Sequence, residues 1–281
     1  MADSNAVLPT SNDTSATAST RSQSRGAFTI SNLREDVDKN YADIPICLCS
    51  LVSGLCDSVA FNASSVFVSM QTGNTVFLAL GAAHLPSNVP ALWLRALCSI
   101  AAFMLGVFAF SKTRHVRPLA KGTLAGSFLV QALFIWTAAA LAQGGVARAF
   151  ASLQVAEEMA RQGELDFQVL AVIILLAFQF GGQIVSSRQL GFNEVPTNVL
   201  TSLYCDLFSD PNILAPLREN PKRNRRVAAA ILMFAGAVAG GWLGHSDAGM
   251  CTALWIGGAV KFFIAVAWIG WKVKETHLEV K

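Results

Sequence analysis

Six stretches of the chain are each apolar over about the twenty residues that a helix needs to cross the ~30 Å hydrocarbon core of a bilayer. They are Ile44–Ala63, Ala91–Phe110, Gly122–Ala142, Phe167–Ser187, Val227–His245 and Gly249–Trp271. Inside lipid no water is available to the backbone, so each run must satisfy its own N–H and C=O groups as a helix. The rest of the composition follows from this. Only 14% of the residues are charged, 53% are hydrophobic, and mean hydropathy is +0.47, whereas soluble domains carry about 25% charged residues. The expectation is an all-α integral membrane helix bundle whose first partner is the lipid bilayer. The net charge of +3 sits in small clusters at the ends of the apolar runs, a topological pattern that excludes a nucleic-acid partner.

Two further stretches do not fit a simple span. Ser64–Ala83 is interrupted by the polar knot Ser69-Met70-Gln71-Thr72-Gly73-Asn74-Thr75, and Asn193–Asp210 is too polar and too broken to face lipid. Each follows an apolar run with glycine near its end, Gly54 in one case and Gly181-Gly182 in the other. Laying these glycines on each other brings Thr72 close to Thr201 with a two-residue slip and aligns the spans that follow. The chain then divides into repeat halves of about 44–142 and 167–271. If the knots are broken or re-entrant elements, each half has three spans and the repeat is inverted; if they span, each has four and it is parallel.

The basic residues bear on that choice. Lys112, Arg114, Arg117 and Lys121 form one cluster; Arg218, Lys222, Arg223, Arg225 and Arg226 form another; Lys272, Lys274 and Lys281 end the chain. Placing all three in the cytoplasm, as positive charge is retained there, gives six spans with both termini inside. The first knot then enters from outside and the second from the cytoplasm. A seventh span through 64–83 would only move the N-terminus outside, so charge leaves it open. Residues 1–43, rich in Ser and Thr, read as a disordered cytoplasmic tail, and 272–281 as a second cytoplasmic tail. Glycosylation at the Asn12 sequon would contradict an inside N-terminus.

Within this frame a few polar side chains stand out. Asp57 lies deep in the first run, where a carboxylate must be paired, protonated or near water. It reads either as an ion, proton or substrate contact or as a structural salt bridge or an N-cap to the broken segment. Lys261 lies mid-span in the last run, too far from an interface to snorkel, and Asp57 is its expected partner by depth and sign; Gln131 or backbone carbonyls are the alternative. The two knots add Gln71, Thr72, Gly73, Asn74 and Thr75 from the first half and Gln183, Thr197, Asn198 and Thr201 from the second. Broken helices at corresponding positions of two halves point to a route for a solute or ion, and as plain polar caps they would only seal a turn. Gly122 and Gly126, and Gly236, Gly240 and Gly244, have the four-residue spacing that lets helices approach closely. Trp93, Trp242, Trp268 and Trp271 read as interface anchors. The six cysteines and four histidines show no metal-ligand spacing, and no nucleotide-binding or hydrolase motif is present. No metal, cofactor or enzymatic activity is expected.

The residues Gly54-Leu55-Cys56-Asp57-Ser58, followed by Val66-Phe67 and then Thr72-Gly73-Asn74-Thr75, resemble the YoaK-type DUF1275 membrane proteins of bacteria and fungi. Their pattern is G-x-x-D-A followed by V-F-x-x-x-x-T-G-N-T. Gly181-Gly182-Gln183 and Pro196-Thr197-Asn198-Val199-Leu200-Thr201 are similar to that family's G-x-Q and P-T-x-V-L-T-G, with Ser202 in place of the last glycine and Ile184 where a polar residue is common. The resemblance spans about residues 44–271 and implies a membrane architecture without assigning an activity. The functional expectation is a secondary transporter or passive permease for an unidentified small solute or ion, with a non-transporting scaffold or accessory protein as the alternative. The plasma membrane is the expected location, and the oligomeric state is open.

Overall fold

A computed structural model of the protein describes residues 30–86, 89, 91–162 and 166–274. Most of the tail expected at 1–43, the Asn12 sequon and the residues after 274 lie outside the described part. The end of that tail is ordered, contrary to expectation. A short helix α1 (Ile30–Leu33) leads into a segment whose Val37 is 1% exposed and which pairs with Ala120 on one side and Val273 on the other. An apolar residue at 37 and free backbone groups on two neighbouring loops are enough to hold it there.

The membrane unit repeats one pattern twice: a long helix, a break, a short helix and two long helices. The first half contains α2 (Asp43–Ser64), α3 (Gln71–Gly81), α4 (Leu92–Ser111) and α5 (Lys121–Gln143). After the amphipathic linker α6 (Leu153–Gln162), the second half contains α7 (Val169–Leu190), α8 (Leu200–Phe208), α9 (Pro221–His245) and α10 (Gly249–Ile269). Among the described residues, six helices are long and apolar enough to cross a membrane, and their burial matches in pairs. The buried share is 72% for α2 and 67% for α7, 28% for both α4 and α9, and 44% for both α5 and α10. The first helix of each half is therefore central and the third is peripheral. Phe108 on α4, Phe234 and Trp242 on α9 and Phe263 on α10 face outward, a surface suited to lipid and unsuited to water.

The two halves exchange partners: α2 packs on α9, α7 on α4, and α5 on α10. The contacts are reciprocal to the residue. A Cβ at Gly54 would meet the Met233 carbonyl oxygen at 2.1 Å and the Ala237 nitrogen at 2.7 Å; one at Gly181 would meet the Phe103 oxygen at 2.6 Å and the Val107 nitrogen at 2.5 Å. Gly236 in turn lies against the Leu51 carbonyl and Gly106 against that of Phe178. One offset relates Phe103, Gly106 and Val107 to Met233, Gly236 and Ala237, and a second relates Leu51 and Gly54 to Phe178 and Gly181. This is the signature of a pseudo-two-fold axis.

Polarity follows from the loops. Val37 N–H donates to the Leu119 carbonyl and Asp38 N–H to that of Lys272, while Arg225 reaches Asp43 at 3.7 Å. These contacts gather the starts of α2, α5 and α9 and the end of α10 at one basic face. At the other face Arg95 near the start of α4 donates to the Ser64 carbonyl that ends α2. Hence α2 leaves the basic face whereas α7 returns to it, and the halves are inverted.

Gly236 and Gly240 meet α2, but the other packing glycines do not behave as expected. Gly126 faces open space, Gly122 lies on the Leu33 carbonyl of α1, and Gly244 only touches Met250 of its own hairpin. Of the tryptophans, Trp268 is fully buried against Phe128 and is no interface anchor, and Trp271 bonds the Asp38 carbonyl through its indole N–H.

Candidate functional site

The central helices α2 and α7 both end in a left-handed residue, Ser65 (φ 60°) and Gly191 (φ 90°). The chain then turns back into the bundle through bends and turns, left-handed again at Thr197 (φ 65°), and starts a short helix after Met70 or Val199, both of which are extended. The breaks are therefore 65–70 and 191–199. Gln71–Thr75, expected as part of the irregular knot, form the first turn of α3 instead.

In the first break Asp57 is the organising group. Its Oδ1 accepts the N–H groups of Val68 and Ser69, each at 2.8 Å, and its Oδ2 accepts the Ser69 hydroxyl at 2.5 Å. A returning strand at depth exposes donors that lipid cannot satisfy, and a carboxylate is the side chain that accepts several at once. Asn74 completes the clasp by mimicking a strand partner: its Oδ1 accepts Phe67 N–H and its Nδ2 donates to the Phe67 carbonyl, Gln71 Oε1 and Ser99. Gly73 lies on the Phe67 ring. Thr72 and Thr75 point out of the bundle, and the Thr75 hydroxyl donates to the Gln71 carbonyl.

The second break is held differently. Gln183 Nε2 donates to the Ser53 hydroxyl at 2.8 Å and to the Thr197 hydroxyl at 2.9 Å, and Ser187 donates to the Val195 carbonyl. Asn198 Nδ2 then donates to the Ser69 carbonyl at 3.2 Å. That bond joins the two breaks, which enter from opposite faces, inside the protein. Thr201, on α8, points outward.

The expected Asp57–Lys261 pair does not form. Lys261 Nζ donates to Gln131 Oε1 at 2.7 Å, lies 3.7 Å from the Cys49 sulfur and sits over the Phe128 ring. Cys49 is two helical turns from Asp57, about 12 Å along α2, and the carboxylate is already engaged by its own returning strand. Gln131 and Lys261 are equivalent positions of α5 and α10, so this contact lies on the pseudo-two-fold axis. Through Ser127, which accepts from Gln131 Nε2 and approaches Ser186 at 3.5 Å, it reaches the inner face of α7.

A family described as "Protein of unknown function (DUF1275)" matches residues 46–267, most of the chain. The chain is a DUF1275 protein. No curated protein and no solved structure matches it.

In this DUF1275 chain the inverted repeat also places an equivalent cavity at each end. At the basic face about 360 Å³ lies between the starts of α2 and α9, lined by Asp43, Cys47, Leu48, Arg225, Ala228 and Leu232 among others. At the opposite face Ala91, Leu94, Arg95, Asp166, Phe167 and Leu170, between the starts of α4 and α7, enclose about 10 Å³. Arg95 and Arg225 are repeat equivalents, each beside an aspartate. Among the described residues, one end is open and its counterpart is shut.

Gln179 is the residue that sequence reasoning missed most plainly. It is fully buried, one helical turn before Gln183 on α7, and among the described residues both its side-chain oxygen and its side-chain nitrogen lack a partner; so do Gln183 Oε1 and Asn198 Oδ1. The sequence signal was a second glutamine four residues from the first within an apolar run, a spacing that puts both on one helix face. Ser53 and Ser99 carry no such signal, because single hydroxyls are common in membrane helices.

Proposed function

We propose that this DUF1275 protein moves a small solute across the membrane by exposing its central polar region alternately to the two sides, with no nucleotide-driven step. The observation that carries this reading is the junction at Ser69 and Asn198, where breaks entering from opposite faces meet beside unpartnered buried amides. Irregular backbone at membrane depth occurs where it is enclosed by protein or lines a cavity. Inverted halves with broken helices at the centre are the arrangement in which one half rocks against the other. The unequal cavities support the same reading, since exchanging the conformations of the halves would open the α4–α7 end and close the α2–α9 end.

The test uses thiol labelling after replacement of Cys98, Cys205 and Cys251, the cysteines that are not buried. Leu170→Cys, in the shut cavity, should react slowly with a membrane-impermeant reagent. Cross-linking Leu48→Cys to Leu232→Cys across the open groove should then speed labelling of Leu170→Cys. An unchanged rate would leave the non-transporting scaffold as the better account.

A further inference from the structure

The central amides have a fixed polarity, and this narrows what they can bind. The Ser53 hydroxyl donates to the Cys49 carbonyl and the Thr197 hydroxyl to that of Pro196. Both hydroxyls are thereby left as acceptors, so Gln183 must present its Nε2 to them and turn its Oε1 away. Asn198 likewise commits its Nδ2 to the Ser69 carbonyl, which leaves its Oδ1 unpaired. Rotating either amide would set oxygen against oxygen. Gln179 adds one more carbonyl oxygen and one amide nitrogen. These residues are 0 or 1% exposed, and polar groups so buried are rarely left without partners.

The asymmetry of the repeat supports a site. By the offset that relates Gly54 to Gly181, the counterparts of Gln179, Gln183 and Ile184 are Val52, Cys56 and Asp57. The first half thus carries a carboxylate whose two oxygens are both engaged by its own returning segment, and the second carries amides with spare valence. The polar surface is one-sided, on α7 and the second break.

We propose that Gln179, Gln183 and Asn198 form the binding site for a small neutral solute rich in N–H or O–H donors, of the urea, carboxamide or short polyol type. This rests on the permease reading above. Three carbonyl oxygens and one amide N–H match a molecule with several donors and at least one acceptor. They repel an anion, since oxygen would face oxygen. A cation is disfavoured as well, because both Asp57 oxygens are already bonded.

The purified protein, reconstituted into phospholipid vesicles, tests this by light-scattering measurement of entry. The probes are urea, acetamide and glycerol as neutral solutes, and potassium acetate with valinomycin omitted or added as the charged one. At least one neutral solute should enter faster than through protein-free vesicles, and Gln179→Leu should slow that entry about tenfold, the effect of one lost hydrogen bond. The Gln179 side chain makes no hydrogen bond among the described residues, so this variant should unfold at or above the wild-type temperature, and slowed entry is then not misfolding. Gln183→Leu should slow the same solute. Entry of the charged probe alone would overturn the solute class and leave the permease reading standing. Neutral entry that Gln179→Leu and Gln183→Leu leave unchanged would overturn the site. No protein-dependent entry of any probe would overturn both.

Discussion

Gly54 and Gly181 offer a quantitative test of the exchanged packing. Replacing Gly54 with alanine puts a carbon 2.1 Å from the Met233 oxygen, and the obstacle is backbone, so no rotamer relieves it. Ordinary contact begins near 3.4 Å, so α9 must recede from α2 by more than an ångström along their shared face. Overpacking of this kind costs about 3 kcal/mol, at the upper end of its usual range. The alanine returns about 1 kcal/mol through helix propensity, for a net loss of about 2 kcal/mol. Gly181→Ala meets two backbone atoms at 2.5 and 2.6 Å and should lose a similar amount. Gly126→Ala, facing open space, keeps the propensity gain alone, about 1 kcal/mol. Reversible denaturation in detergent should therefore separate chemically identical changes by about 3 kcal/mol. The α2–α9 and α4–α7 contacts share no helix, so the double variant should lose the sum of the single losses. If Gly54→Ala and Gly181→Ala unfold together with Gly126→Ala, the reciprocal packing described above is wrong.

Other consequences can be measured in the same way. Asp57→Asn keeps an oxygen for the Val68 and Ser69 N–H groups and should cost about 1.5–3 kcal/mol, the worth of a charged hydrogen bond; Asp57→Leu strands both donors, at about 1–3 kcal/mol each, and should be clearly worse by equilibrium denaturation. Gln131→Leu should destabilise by about 1.5–3 kcal/mol because it deprives a buried ammonium of its acceptor, and adding Lys261→Met should recover most of that in a double-mutant cycle. At the basic face, hydrogen bonds from the Asn220 side chain and the Asn212 N–H hold the Asp210 carboxyl below the usual carboxylate range. A depressed value stabilises the loop fully above the unfolded pKa of about 3.9 and loses that contribution as pH falls through the folded value. Proteolysis of the 209–220 loop should thus quicken on acidification, and Asp210→Asn should remove the dependence.

Much of this fold is written in hydropathy and charge. The six spans, their division into halves, the two breaks and the opposed entry of those breaks need only run lengths, the match of Gly54 to Gly181 and three basic clusters. What stayed hidden depends on rotation about a helix axis. Asp57 and Lys261 have suitable depth and opposite sign, yet the carboxylate faces a strand that arrives eleven residues later, and the ammonium faces its repeat counterpart. Gln179 is marked in one dimension only by its four-residue spacing from Gln183. Gln71–Thr75 look like loop residues because Thr, Gly and Asn disfavour helix, and tertiary bonding of Asn74 to Phe67 and Ser99 overrides that preference. The ordered segment at 35–42 escaped notice because one apolar residue, Val37, anchors it.

The inverted halves also constrain how such a chain can diverge. A duplicated three-span unit joined head to tail is inserted upside down the second time, so a charge pattern that orients the first copy misorients its twin. Here the basic cluster of the first half lies between α4 and α5, and that of the second runs from just before α9 into its first turns, one connection earlier. The copies can preserve glycine contacts and helix lengths indefinitely, but their loops are obliged to differ. Divergence of the loops is thus a condition for keeping the symmetry of the interior.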